Sequence, residues 1–169
     1  MNSLTIPPDI EKVFREFRTC EFATLARDGT PIVWPTTPLY LAERGQFLIT
    51  ASIGLSRKVT NIRRNPHVSM LFSNPTGSGL THAPAVLVQG DAISPDEVYT
   101  WSEDLEVFWR HLGRLQPASR MFSSNPVTRY LMDWYYMRLL IYITPRHIRW
   151  WPEGDFTGAP QTLGAGHVG

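Results

Sequence analysis

Turn signals and prolines cut the first half of this chain into pieces too short for anything but strands and brief helices. Asp28-Gly29 is a hairpin pair. Glu43-Arg44-Gly45 makes a second turn, Asn65-Pro66 a further break, and Asn74 to Gly79 a loop. Between them lie Glu21 to Arg27, Pro31 to Leu41, Gln46 to Ala51, His67 to Phe72 and Ala85 to Ile93, which read as strands. Pro31, Pro35 and Pro38 all fall in the second of these. Proline cannot donate to a sheet ladder, so that segment is expected at an edge or with a bulge. Arg138 to Thr144 and His147 to Trp151 are predicted as two closing strands separated by Pro145. Short strands joined by hairpins, with few helices between them, give a mostly β chain with helices (α+β). The expected form is an antiparallel barrel with helices packed outside.

The helical pieces show their own period. Ile10, Val13, Phe14 and Phe17 form one face behind Pro7, Pro8 and Asp9. Leu55, Val59 and Ile62 form the stripe of a helix predicted over Leu55 to Asn65. Asn65 is expected in a left-handed cap, and Pro66 ends the helix. A helical region is predicted from Pro95 to about Tyr136, broken near Gly113, Pro117 and Pro126. Residues 1–156 are expected as one domain. Thr157 to Gly169, with four glycines and only Leu163 as a large anchor, is expected as a disordered tail.

Composition narrows the function. The 169 residues carry 16 Lys and Arg against 15 Asp and Glu. A net charge of +1 disfavours a nucleic-acid partner, because phosphates demand a positive excess. No apolar run approaches the ~20 residues of a membrane span. No basic, apolar leader is visible at the start, and the expected location is cytoplasmic. Cys20 has no partner for a disulfide or a metal cluster and is expected as a small buried hydrophobe. The five histidines show no ligand spacing, so no metal is expected, although His82 and His147 are open as site residues. No nucleophile elbow or phosphate loop is present; Gly77-Ser78-Gly79 lacks the Gly-Lys-Ser/Thr ending. Asp96, Glu97, Glu103, Asp104 and Glu106 read as a solvated face near a helix start. Charged residues are 18% of the chain and aromatics 12%. That balance suits a surface partly covered by a ligand, a second subunit or both. Trp101, Phe108, Trp109 and Trp134-Tyr135-Tyr136 are expected to pack helices, with Trp109 and Tyr136 open as pocket walls.

One stretch breaks a local rule. Ser56 to Pro66 holds Arg57, Lys58, Arg63 and Arg64. Arg63 and Arg64 fall in the last helical turn, where cations complement the macrodipole. Arg57 and Lys58 fall in the first turn, directly behind Ser56 as N-cap, where cations are unfavourable. A helix start with free N–H groups, a hydroxyl and two cations is an anion site. The alternative is that both side chains reach into solvent or pair with distant carboxylates.

The ordered set of motifs resembles the pyridoxamine 5'-phosphate oxidase-like family. It comprises Phe22-Ala23-Thr24-Leu25, Asp28-Gly29-Thr30-Pro31, Phe47-Leu48-Ile49-Thr50, Ser56-Arg57-Lys58, Asn65-Pro66 and Val88-Gln89-Gly90. Thr144-Pro145 and Ile148 with Trp150-Trp151 resemble the family's closing strands. The resemblance implies a split β-barrel that binds FMN or a deazaflavin, as a homodimer with sites at the interface. It implies that Arg57 and Lys58 bind the cofactor phosphate and that Ser56 caps their helix. It implies that Ile49 and Thr50 offer backbone groups and a hydroxyl to the ring system or ribityl chain. Trp151 would lie near the ring from the partner subunit, and Trp34 and Thr36 would add flat surface and a hydroxyl. The chain departs from the vitamin B6 oxidases in three places: Trp34 stands near a phosphate-contacting Arg, Ala85 stands for a Gln, and no Arg-x-His follows Trp151.

The leading expectation is therefore an FMN-dependent oxidoreductase acting on a small molecule, with no identified acid–base residue. Alternatives are a deazaflavin (coenzyme F-420) reductase, whose longer anionic tail would suit Arg63 and Arg64, and a non-catalytic flavin- or haem-binding protein. A structural dimer with a decayed site is the fourth reading.

Overall fold

A computed structural model describes residues 5–117 and 137–164. In chain order the elements are α1 (Pro8–Glu16), β1 (Cys20–Leu25), β2 (Pro31–Thr36), β3 (Leu39–Leu41), β4 (Gln46–Ser52), α2 (Arg57–Arg64), β5 (His67–Phe72), β6 (Ala85–Ile93), α3 (Glu103–Leu115), β7 (Arg138–Trp151) and β8 (Gln161–Gly164). The strands form one antiparallel sheet in the order β2-β1-β5-β6-β7-β4-β3, with β8 on β7.

That order forces the sheet to curl. β2 and β3 lie at opposite edges, yet only Thr37 and Pro38 separate them in the chain. A flat sheet of this width would set its edges about 29 Å apart. Three backbone steps reach at most about 11 Å. The edges must therefore approach, and the sheet becomes a split barrel closed by chain rather than by a ladder. The prolines sit where this architecture tolerates them: β2 is an edge strand.

α1 plugs the barrel. Ile10, Val13, Phe14 and Phe17 are all buried. The Phe14 ring lies 4.8 Å from Phe47, edge-on, and 5.1 Å from Phe72. α3 packs outside, setting Leu105, Phe108 and Leu112 on Leu39, Leu48 and Leu140. Ser102 caps α3, accepting from the Leu105 N–H at 3.1 Å. Asp104 then pairs with Arg44 and accepts from the Tyr142 hydroxyl at 2.8 Å, fixing the helix start to the sheet. No described helix is long and apolar enough to cross a membrane.

Several local expectations are corrected. Pro31 to Leu41 is two strands rather than one. Pro145 does not divide the last strand. β7 runs unbroken past it because the pairing shifts between Gln89 and Gly90, leaving Arg146 as the extra residue. Gly90 permits the close approach there, since a Cβ on it would stand 2.3 Å from the Thr144 carbonyl oxygen. α2 begins at Arg57, behind a 3-10 turn over Ile53–Leu55, so Leu55 leaves the buried stripe and is 71% exposed. Asn65 is extended (φ −138°, ψ 109°), not left-handed, as the residue before proline prefers. α3 starts at Glu103 rather than Pro95 and runs through Gly113 to Leu115. Pro126 and Trp134-Tyr135-Tyr136 lie outside the described residues. Beyond Thr157, Gln161–Gly164 is not a tail but a strand on His147 to Trp150, with Leu163 packed against the core.

Candidate functional site

β4 leaves the barrel at Ser52, turns through Ile53–Leu55 and delivers the chain to the start of α2. A cavity of about 450 Å³ opens there, lined by Trp34, Gly54, Leu55, Ser56, Arg57 and Lys58. α2 is held against the barrel by buried Val59 and Ile62 and by buried Asn61, which donates to the Thr24 hydroxyl at 3.0 Å. Its first turn is therefore fixed in direction while its outer face carries charge. Strand alternation puts Ile32, Trp34 and Thr36 on one face of β2, and Trp34 stands across from Phe22.

The first N–H groups of a helix have no acceptor within the helix. Ser56 does not supply one. It occupies the N-cap position with helical backbone (φ −79°, ψ −1°), and its side chain makes no capping bond, contrary to expectation. Arg57 and Lys58 form no ion pair with any described residue. The Lys58 ammonium lies 5.7 Å from the centroid of the Trp34 ring. Burial, then the charge of Arg138, push the Lys58 pKa below the ordinary lysine value, and Cys20 opposes this weakly. The other two cations of α2 are absorbed. Arg63 pairs with Asp96 at 2.9 Å and donates to the Pro95 carbonyl at 2.9 Å. Arg64 donates to the Leu25 carbonyl at 2.5 Å and to Asn61 Oδ1 at 3.3 Å.

The structure thus brings Trp34, Ser56, Arg57 and Lys58 to one cavity. Thr36 is buried beside Cys20, its Oγ1 3.5 Å from the thiol sulfur, and does not line the cavity. Burial pushes the Cys20 thiol up to about 12, so it stays protonated, as a small buried hydrophobe would. Ile49 is fully buried in the barrel core, and Thr50 is half-buried opposite Leu140. β3 pairs with β4 only from Gln46 to Leu48, so the β3 side of Ile49 and Thr50 has no ladder partner among the described residues. Trp151 ends β7, opposite Ala85, with its ring 5.0 Å from Phe156. It does not line the cavity of its own chain.

Sequence reading missed Gly54, Leu55 as a wall, and Arg138. The last had a signal: a cation heading the apolar run Leu139 to Ile143. It is buried, with its guanidinium 4.9 Å from the Trp109 ring centroid. His147 pairs across to Gln89 and Gly164 and His82 holds a left-handed backbone (φ 52°); neither lines the cavity. No described group of three or more His, Cys, Asp or Glu is placed to hold a metal. A second cavity, of about 460 Å³, lies between α1, β3 and α3. Its Arg15 and Arg114 are already bonded to Glu11 and Glu16.

A helix start with two unpaired cations beside an indole face accepts a phosphate attached to a flat ring. No Asp, Glu or His lines this cavity, so it offers no carboxylate or imidazole for proton transfer.

A family profile described as pyridoxamine 5'-phosphate oxidase matches residues 6–133. The chain belongs to this family. No curated protein matches the chain. Solved structures share the fold. A conserved hypothetical protein of Mycobacterium tuberculosis is 21% identical with a TM-score of 0.62, over 90% of this chain and 89% of that one. A protein described as an F420 reductase is 20% identical with a TM-score of 0.57, over 85% of this chain and 98% of that one. A haem-binding protein of Mycobacterium smegmatis is 16% identical with a TM-score of 0.57, over 94% of this chain and 59% of that one.

Proposed function

We propose that this family member binds FMN at the start of α2, as a homodimer, and serves as an oxidoreductase for a small-molecule substrate. The observation that carries this is the pair Arg57 and Lys58. Both stand at the helix end where cations are unfavourable, and neither has a carboxylate partner among the described residues. A phosphate there satisfies the helix N–H groups and both charges at once. Trp34 offers a flat wall beside the anchor. The open side of Ile49 and Thr50 offers backbone groups and a hydroxyl for the ribityl chain or ring edge. Trp151 of the partner subunit covers the ring, a role its own chain's geometry leaves free. The flavin would supply hydride or electron transfer, while the chain binds, orients and keeps water from the ring.

Members of the same fold described as an F420 reductase and a haem-binding protein make two other cofactors the comparisons in the test. The argument for a longer anionic tail on Arg63 and Arg64 loses its support, because both are bonded to Asp96 and to backbone carbonyls. The test is the visible spectrum of the protein after reconstitution and desalting. The expected result is retention of the two flavin bands, their loss on adding a reduced nicotinamide, and their return with an acceptor. Retention of a single violet deazaflavin band or a Soret band in place of FMN overturns the cofactor assignment. Stable flavin bands that no nicotinamide bleaches overturn the proposed reaction.

A further inference from the structure

Arg138 is a charged residue where the fold has little reason to place one. It is 7% exposed, at the head of β7. Its register partner is Ser52, the last residue of β4. From Ser52 the chain passes directly into Gly54, Leu55 and Ser56, which line the cavity. Arg138 therefore stands beside the root of the cavity loop without touching the cavity itself. Its position is fixed: its backbone N–H donates to the Tyr99 carbonyl and its carbonyl accepts from the Tyr99 N–H, both at 2.8 Å. The Trp109 ring of α3 lies against its guanidinium at 4.9 Å.

We propose that Arg138 is a positioning residue, a permanent third positive charge behind Lys58 that makes the site select a doubly charged phosphomonoester. This rests on the cofactor reading above and names the ligand class that the site prefers. A guanidinium does not lose its proton in a protein, so the charge is constant. The described groups around Lys58 are Arg138 on β7, Cys20 on β1, the Trp34 ring on β2 and Arg57 on its own helix. The thiol is protonated and the ring is neutral, so none of the four carries negative charge. Burial and Arg138 both loosen the Lys58 proton in the empty site. A bound anion reverses this, in proportion to its charge. A phosphomonoester carries about −1.5 to −2 near pH 7. A phosphodiester carries one charge and an unphosphorylated flavin none at its tail, so both gain less from the same cations.

Ligand and proton binding are thus linked through Lys58. Its pKa is lower in the free site than in the bound one. FMN affinity is therefore greatest below the free-site pKa and falls as pH rises from that value toward the bound-site value. Removing Arg138 raises the free-site pKa and moves the onset of that fall to higher pH.

The experiment titrates the full-length protein with FMN and with riboflavin, from pH 6 to pH 10, for the unaltered chain and for Arg138→Met and Arg138→Lys. Thermal unfolding verifies that each variant is folded. The expected result is that R138M weakens FMN binding about tenfold, leaves riboflavin within about twofold, and shifts the FMN pH profile upward. R138K, which keeps a charge, restores most of the FMN preference. Equal losses for FMN and riboflavin, an R138K as poor as R138M, or an unmoved pH profile each overturn the inference while leaving FMN binding intact. Failure of the unaltered chain to bind FMN is a separate result, and it overturns the cofactor reading along with the inference.

Discussion

The two ends of α2 carry the same kind of residue and do opposite work. At the C-terminal end Arg63 and Arg64 meet a favourable dipole, the Asp96 carboxylate and two backbone carbonyls. Every feature of that end points to structure. At the N-terminal end Arg57 and Lys58 oppose the dipole and have no ion-pair partner among the described residues, and Ser56 leaves the helix uncapped. Charge that completes the fold is matched within the chain, whereas charge kept for a ligand is left unmatched. A count of cations along eight residues would treat both ends alike.

The largest expected effect separates them on binding. R57A/K58A should weaken FMN binding by about 100-fold or more, as two charge-assisted contacts are lost. The empty protein should keep its stability or gain slightly, since each cation there costs roughly 0.3–1 kcal/mol. Calorimetric titration and thermal unfolding read the two quantities. The next effect is the mirror image. R63A/R64A should lose about 1–3 kcal/mol of stability through broken hydrogen bonds and dipole contacts, measured by urea unfolding. Its FMN affinity should stay within about twofold. A loss of binding as large as that of R57A/K58A would abolish the distinction.

A finer test uses pH. Lys58 has a native pKa lowered by burial and by Arg138. Between that value and the ordinary lysine value, the unfolded chain holds a proton that the native chain has released. Stability of the empty protein should therefore rise with pH across that window. K58M should flatten the rise and R63A/R64A should not, as followed by urea midpoints at increasing pH. The smallest effect concerns Asp28 in the β1–β2 hairpin. Its carboxyl lies below the usual range chiefly because Thr30 donates to it, with a minor contribution from Arg57. D28N should strengthen FMN binding by about twofold at low salt, and by less as screening increases. A weakened affinity would mean that Asp28 supports the site rather than competing with it.

Local signals account for what was legible. Hairpin pairs and edge prolines placed the strands, and the period of Ile10, Val13, Phe14 and Phe17 placed α1. The cations at the start of α2 were visible as a broken rule. The remainder depended on pairing between distant segments. Pro145 sits inside β7 because Gly90, far earlier in the chain, allows a bulge opposite it. β8 exists because β7 offers an edge beside His147 to Trp150, and four glycine-flanked residues gave no sign of it. Thr36 shares a face with Trp34 but lies one strand step deeper, beside Cys20, and alternation alone could not show that depth. Arg138 becomes informative only once its register with Ser52 and its contact with Trp109 are known.

The most direct measurement is a crystal structure of the protein with FMN. The account expects the phosphate at the first turn of α2, within hydrogen-bond distance of the Arg57 and Lys58 side chains, with the ring running from Trp34 toward Thr50. A phosphate bound elsewhere, above all among Arg15, Arg110 and Arg114 in the cavity between α1 and α3, would contradict it.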